Sequence, residues 1–414
     1  MLDIKYIREN KERVKENCKN RRVNVDIEKI LHLDERRREL TTQIDELRAQ
    51  RNKKSKEKPN QEEIELMRKV GEQIKDLEKE LESIEENYKK LLLSVPNLTH
   101  PDAPIGGEED FKILEKKGHI TEFSFEPKDH EILAKNLDLL DFERGAKTSA
   151  AKFYFVKNDL VRLNQALINY GIDIATNHNY ILMETPDIAK NNILSGIGFN
   201  PRGEETQVYS LENTDLSLIG TAEITIGGYH ADEILDLSKS AKKYVALSHC
   251  FRTEAGAYGR TSKGLYRVHQ FTKLEMFVFC KPEDSEKYHQ EILNIEKEIC
   301  EGLKLPYRVI DIASGDLGSP AYRKFDIEAW MTMNKDYGEI TSTSNCTDYQ
   351  SRRLNIRYRT DGGKTEFVHT LNGTAIVTSR FPIAILENNQ QADGSIKVPE
   401  VLQKWVGKEV IKAQ

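Results

Sequence analysis

Cysteine is scarce in this 414-residue chain: Cys18, Cys250, Cys280, Cys300 and Cys346 are odd in number, widely spaced and never arranged as a CxxC pair. That pattern excludes a disulfide-stapled scaffold and supplies no cysteine cluster for a metal, so free thiols and no structural zinc are expected. His249 beside Cys250 reads as strand packing. Long apolar runs are also missing. No stretch of about 18 apolar residues occurs, and the opening MLDIKYIRENK is charged from its third residue. Neither a membrane span nor a secretion signal is expected, and the expected location is the cytoplasm. A surplus of positive charge is the third absence. With 62 Lys and Arg against 68 Asp and Glu, the net charge of −6 excludes a protein that coats nucleic acid indiscriminately, so any such contact should be local. Finally, neither GxxxxGK[ST] nor GxGxxG occurs, so a nucleotide would have to be held in another way.

What the chain does have is apolar material for a core and length for two domains, with 38% hydrophobic and 31% charged residues. The first hundred residues read as two long helices. In the second, Met67, Val70, Ile74, Leu77, Leu81, Ile84, Tyr88 and Leu91 alternate by three and four, which predicts a narrow coiled-coil seam. The first offers Ile30, Leu33, Leu40, Ile44 and Leu47, with Arg37 and Arg51 at seam positions where long stems can snorkel. Pro59 and Asn60 interrupt the pattern, so the helices should fold back as an antiparallel hairpin. An outgoing helix of about 32 residues would project its tip by ~48 Å. Near that tip Arg48, Arg51, Lys53, Lys54, Lys56 and Lys58 are opposed only by Glu57. Alone, such a run is as well explained by a solvated helix end. Held out on a rigid hairpin, it predicts contact with an RNA phosphate backbone, reading shape rather than bases. Pro96, Pro101 and Pro104 with Gly106 and Gly107 then mark a linker, dividing a helical arm (1–100) from a second domain (101–414).

Beyond the linker, alternating segments at 244–250, 265–279 and 324–331 interleave with helical stretches around 160–176 and 282–304, which predicts an α+β domain on a mostly antiparallel sheet. The run FRTEAGAYGRTSKGLYRVHQFTKLE, residues 251–275, carries most of the chemistry: Arg252, Arg260 and Arg267 flank a loop with Gly256, Gly259 and Gly264. Strand alternation should place Arg267, His269, Phe271, Lys273 and Glu275 on one face, with Val268, Leu274 and Met276 on the other. Guanidinium groups suit phosphate oxygens, a planar aromatic suits a base, and a carboxylate suits an amine, so a nucleotide and a cationic small molecule are implied. Weaker segments could complete the cleft: Thr221 and Glu223 in LIGTAE, Glu339, Thr341, Ser342 and Asn345 in DYGEITSTSN, and Asn372, Thr374 and Arg380 further on. Taken singly, these read as a helix start, surface ion pairs and cross-strand hydroxyl pairs. Strict alternation would put Glu339 and Ser342 on opposite faces, so a bulge or a strand end is expected between them.

Together these segments resemble bacterial-type seryl-tRNA synthetases, a family of class II aminoacyl-tRNA synthetases. The resemblance runs from the N-terminal hairpin through NYILMETPDI with Pro186 (motif 1), the TAE segment, motif 2 over 251–275, and motif 3 over 371–402. FRTEAGAYGRTSKGLYRVHQF and ENNQQADGSIKVPEVL are its most specific parts. It implies an antiparallel class II sheet flanked by helices, activation of serine by ATP with Mg²⁺, transfer to the 3′ end of tRNA(Ser) with tRNA(Sec) left open, and a homodimer. It also implies roles. Arg252 would contact the α-phosphate and the serine carboxylate, Glu254 the adenine amino group, Phe271 the adenine face, Arg267 the β/γ end, and Arg380 the opposite side of the nucleotide. Thr253, Ile340 and Thr341 would add ATP contacts, while Glu339 and Ser342 would hold Mg²⁺. For serine, Thr221, Glu223 and Glu275 would surround the ammonium group and Thr374 would meet the hydroxyl, with Ala222 and Asn345 completing the pocket. Arg252, Arg380 and Glu339 would be the catalytic set.

Two other readings stand beside this one. A relative that loads an amino acid onto a carrier protein would lack the basic hairpin, which is intact. A catalytically dead coiled-coil paralogue would have lost one of Arg252, Glu254, Glu275, Glu339 or Arg380, and none is lost. The stretch after Arg380 is too short for the anticodon-binding domain of threonyl, prolyl and histidyl relatives, so the arm should identify the tRNA. Departures from the usual pattern are Gly220 where proline is common, Thr374-Ala375 and Thr378-Ser379 in motif 3, and the segment 195–217.

Overall fold

The three-four spacing of apolar residues in the first hundred positions produces helices, and the period-two spacing beyond produces a sheet. A computed structural model of the chain describes residues 1–54 (the side chain of Lys54 excepted), 60–199, 207–254 and 264–413. It divides into two compact units, Met1–Leu98 and Thr99–Gln414. No helix among the described residues is long and apolar enough to cross a membrane.

Among the described residues the first unit has four helices: α1 (Ile4–Glu9), α2 (Lys11–Asn20), α3 (Ile27–Lys54) and α4 (Gln61–Ser94). Sequence reading missed α1 and α2. They close the base of the hairpin through Leu2, Ile7, Val14 and Cys18, which pack on Ile27, Ile30, Leu92 and Val95. The α4 start is fixed by a capping box between Asn60 and Glu63, which satisfies two otherwise orphaned N–H groups. Leu40 and Ile44 of α3 and Ile74 of α4 are buried at expected seam positions. The 28 described residues of α3 span about 42 Å at ~1.5 Å per residue. One seam resident was not foreseen. Asp34 is fully buried, with Arg8, Arg37 and Arg38 at 3.5, 3.2 and 3.3 Å, and Arg37 also lies over the Tyr88 ring.

Among the described residues the main sheet of the second unit has eight strands: β1 (Lys112–Lys117), β2 (Ile181–Glu184), β3 (Lys242–Phe251), β4 (Gln270–Cys280), β5 (Tyr307–Asp311), β6 (Arg323–Met331), β7 (Asp336–Asn345) and β8 (His369–Val377). Their order is β1-β5-β6-β7-β8-β4-β3-β2. Every pairing is antiparallel except that of β2 with β3, as the α+β reading expects. Leu274, Met276 and Val278 face a core shared with the helices Asn158–Asn177, Ser285–Gly302 and Phe381–Asn388. Within it, Gly171 lets helix and sheet approach closely, since a Cβ there would come 2.7 Å from Ile376. Phe277 and Phe279 face the opposite way, under the helices Asn191–Ile197, Ala222–Tyr229 and Tyr349–Leu354. On that second face the polar members of the same strands are left to line a cavity.

Candidate active site

Three central strands carry the polar row. β4 lies between β3 and β8, so Glu275 is paired with Ala246 on one side and Thr374 on the other. The pleat brings Lys273, Glu275, Asn372 and Thr374 to one cavity of about 580 Å³, together with Thr221, Glu223, Arg252, Glu254, Arg267, Phe271, Glu339, Ile340, Thr341, Ser342 and Arg380. The β6–β7 ladder slips at Ile340: Ile327 pairs with Thr341 but Glu328 pairs with Glu339. That irregularity is what allows Glu339 and Ser342 to line the same space despite their odd spacing.

One end of the cavity is built from guanidinium groups. Arg252 follows β3; its Nε donates to the Gly220 carbonyl at 3.2 Å and its guanidinium carbon lies 5.3 Å from the centre of the Phe271 ring. A Cβ on Gly220 would stand 3.5 Å from Arg252 Cγ, an ordinary contact. Arg267 pairs with Glu254 at 3.0 Å. Glu254 has φ of +51°, a left-handed conformation that costs a non-glycine residue about 1–2 kcal/mol. Arg380 pairs with Glu339 at 2.7 Å and lies over the Tyr266 ring. Burial opposes ionisation of Glu339, but Arg380, Lys324 and Arg252 overcome it and hold the carboxyl down at about 2.

The other group of lining residues centres on two carboxylates, Glu223 and Glu275. Thr221 caps the helix Ala222–Tyr229 by accepting from the Glu223 N–H at 3.2 Å, which fixes Glu223 in the first turn. Gln350 donates to Glu223 at 2.7 Å. Lys273 and Glu275 form a buried ion pair at 2.5 Å, and the Thr374 hydroxyl donates to Glu275 at 3.2 Å. Burial first, and then the negative charge of Glu275, push Glu223 up to about 7 against the opposing help of Gln350, Lys273 and Arg252.

Comparison with known proteins shows the family. Residues 207–389 match the model of the tRNA synthetase class II core domain (G, H, P, S and T), and residues 1–99 match that of the seryl-tRNA synthetase N-terminal domain. The serine–tRNA ligase of Treponema denticola is 53% identical over 98% of this chain and 99% of its own length. That of Dictyoglomus thermophilum is also 53% identical, over 100% and 99%. The chain belongs to the seryl-tRNA synthetase family. Among solved structures, seryl-tRNA synthetase from Pyrococcus horikoshii complexed with ATP superposes with a TM-score of 0.92 at 38% identity, covering 100% of both chains. The cytoplasmic serine–tRNA ligase of Naegleria fowleri in complex with AMP gives 0.87 at 33% identity, covering 100% of this chain and 99% of its own.

Not every residue singled out in the sequence reaches the cavity. Asn345 has the same pleat as Thr341 and Thr343 and is fully buried; its amide donates to Ser285 and Glu286, and its oxygen accepts from Thr347 N–H. It is not among the residues that line the cavity. Ala222 is buried within its helix, and Thr253 makes a backbone bond to Gln207; neither lines the cavity. His269 precedes β4, so alternation does not reach it: it stacks on Phe153 and binds the Arg252 carbonyl. Gly256, Gly259, Arg260, Lys56 and Lys58 lie outside the described residues, as does the Lys54 side chain, while Arg48, Arg51 and Lys53 are exposed on α3. Lys273 lines the cavity as alternation predicts, and Lys324 and Tyr266, which the sequence did not single out, line it too. Lys324 sits 3.2 Å from Asp326, and the period-two pattern of β6 was the available signal for both.

Proposed function

We infer that this chain is an ATP-dependent serine:tRNA ligase, which joins serine to ATP as seryl-adenylate and then passes the seryl group to the 3′ end of tRNA(Ser). The observation that carries the reading is a single cavity with arginines at one end and two carboxylates beside a hydroxyl at the other, in a chain of this family. In the first step the serine carboxylate attacks the α-phosphorus in line and pyrophosphate leaves. Catalysis then consists of positioning and of neutralising charge on phosphate oxygens, with no covalent enzyme nucleophile. Arg252 suits both the α-phosphate and the serine carboxylate. Phe271 supplies a stacking face, Glu254 an acceptor for the adenine amino group, and Arg267 and Arg380 the flanking charge. An anionic group approaching Arg267 competes with Glu254 for it, so phosphate binding would release that carboxylate to the base.

Glu339 and Ser342 would hold Mg²⁺. One carboxylate and one hydroxyl are a hard-oxygen set that fits an ion drawing its remaining ligands from water and substrate phosphates, where it would offset their charge. At the acidic end, Thr221, Glu223 and Glu275 would take the ammonium group and Thr374 the serine hydroxyl. A buried site that pairs a substrate hydroxyl rejects the analogue lacking it by roughly 10⁴-fold, so alanine is excluded by an unmet hydrogen bond and threonine by size.

We assign residues 1–100 to tRNA recognition, through Arg48, Arg51, Lys53, Lys54, Lys56 and Lys58, and 101–414 to catalysis. A cytoplasmic homodimer is the proposed form. Ile181 and Leu182 on the edge strand β2, with nearby Ile188, are exposed, and such an apolar edge is commonly covered by a partner. Labelled serine, ATP and a transcript of serine tRNA test the reading: ester formation at the 3′ end is expected, and no transfer to that tRNA with transfer to another would refute it. A selenocysteine tRNA transcript in the same assay decides the second acceptor.

A further inference from the structure

Behind the nucleotide end lies a buried histidine whose two ring nitrogens are both engaged. His130 opens the helix His130–Asn136. Its Nδ1 is 2.9 Å from Glu387 Oε1, its backbone N–H donates to the same oxygen at 3.3 Å, and Met333 N–H donates to Glu387 Oε2 at 3.2 Å. Across the ring, Leu265 N–H donates to Nε2 at 3.4 Å. A backbone N–H can only donate, so Nε2 is an acceptor and the proton sits on Nδ1, where Glu387 accepts it; the carboxylate selects the tautomer. Gly264 is fitted to the same ring. Its φ is +58° and a Cβ there would stand 2.1 Å from Nε2.

The next residue, Tyr266, carries the ring under Arg380, 5.0 Å from its guanidinium carbon, and Arg380 pairs with Glu339. Arg380 also precedes the helix Phe381–Asn388, which carries Glu387 in its last turn. The contacts therefore close into a ring: Glu387 to His130, His130 to Leu265, Tyr266 to Arg380, and Arg380 back through one helix to Glu387.

We propose that His130 is a positioning residue for ATP: by accepting from Leu265 N–H it fixes the Tyr266 ring on which Arg380 rests, and so sets where that guanidinium meets the nucleotide. This rests on Arg380 being an ATP ligand, as inferred above.

Asparagine places an amide nitrogen near the Nδ1 position and glutamine an amide oxygen near Nε2, so the two variants separate the two bonds. His130→Asn keeps the donor to Glu387 and strands the Leu265 N–H. Its KM for ATP in serine-dependent ATP–pyrophosphate exchange should rise about tenfold, within the range for an unsatisfied buried donor. Its kcat and KM for serine should stay within about twofold, and its Tm close to the parent's. His130→Gln should restore most of the ATP affinity. Tyr266→Leu, which leaves His130 and Glu387 untouched, should raise the ATP KM by a similar factor, and His130→Asn should add little to it. The proposal is overturned if the Asn and Gln variants shift the ATP KM alike, if the ATP and serine constants rise together with a falling Tm, or if Tyr266→Leu leaves the ATP KM unchanged. ATP binding measured by calorimetry on the same proteins keeps the two inferences apart. Exchange absent from the parent, with the binding order intact, sinks the functional reading alone, and equal affinities across the variants sink the role of His130 alone.

Discussion

The arm and the pocket are built from the same charged residues in opposite surroundings. On the arm, Arg36 pairs with Glu80, Arg48 with Glu78 and Arg68 with Glu65 across or along exposed helix faces. Water and salt screen such pairs, so each is worth little and one can replace another. In the pocket, Lys273 and Glu275 are buried together, and removing one partner leaves a charge in a poor solvent at a cost of roughly 3–5 kcal/mol. The comparison teaches that tip charges act as a group, while pocket charges act one at a time.

The sharpest break between the two is a deletion. Removing residues 52–61 should abolish tRNA charging and leave serine-dependent exchange unchanged; charging that survives would show that the tip does not read tRNA. Next comes a single pocket charge. Arg252→Ala should lower exchange by on the order of 10²-fold, the usual loss for one preorganised donor, whereas near-normal exchange would remove Arg252 from the reaction.

A third test lies within the pocket, where two glutamates differ as much as the two domains do. Glu339 is held down at about 2 and stays ionised throughout the working range, whereas Glu223 is pushed up to about 7. Because the folded value of Glu223 exceeds the unfolded one, its protonated form favours folding below about 4.5, and that contribution is lost as pH rises through about 7. Binding an ammonium group needs the ionised form. The serine KM should therefore fall by about tenfold between pH 6 and 8, and Glu223→Gln should flatten the profile. A profile unaffected by that substitution would place the ammonium elsewhere. The smallest effect belongs to the arm: Lys53→Ala should reduce the salt dependence of tRNA affinity by a slope of only about 0.7–0.9, one phosphate contact.

Much of this was legible in the residues because helix and strand periods sort side chains by face. The seam positions Leu40, Ile44 and Ile74 followed from three-four spacing, and the gathering of Phe271, Lys273 and Glu275 followed from alternation along β4. The awkward spacing of Glu339 and Ser342 called for a bulge or a strand end between them, and the ladder slips at Ile340. Asn345 is taken up by Ser285 and Glu286, partners on a distant helix that local periodicity does not reveal. Asp34 was not seen because a carboxylate inside an apolar seam makes sense only once three arginines converge on it. His130 and Glu387 stand 257 positions apart, and only the folded chain brings them together. Local periods carry no information about such pairs, nor about the strand order that sets β8 between β7 and β4.

The proposed activity requires a pocket that activates one amino acid. ATP–pyrophosphate exchange measured with each of the twenty amino acids tests it most directly. Exchange with serine and near-background signal with alanine and threonine is the predicted result; exchange with some other amino acid and none with serine would contradict it.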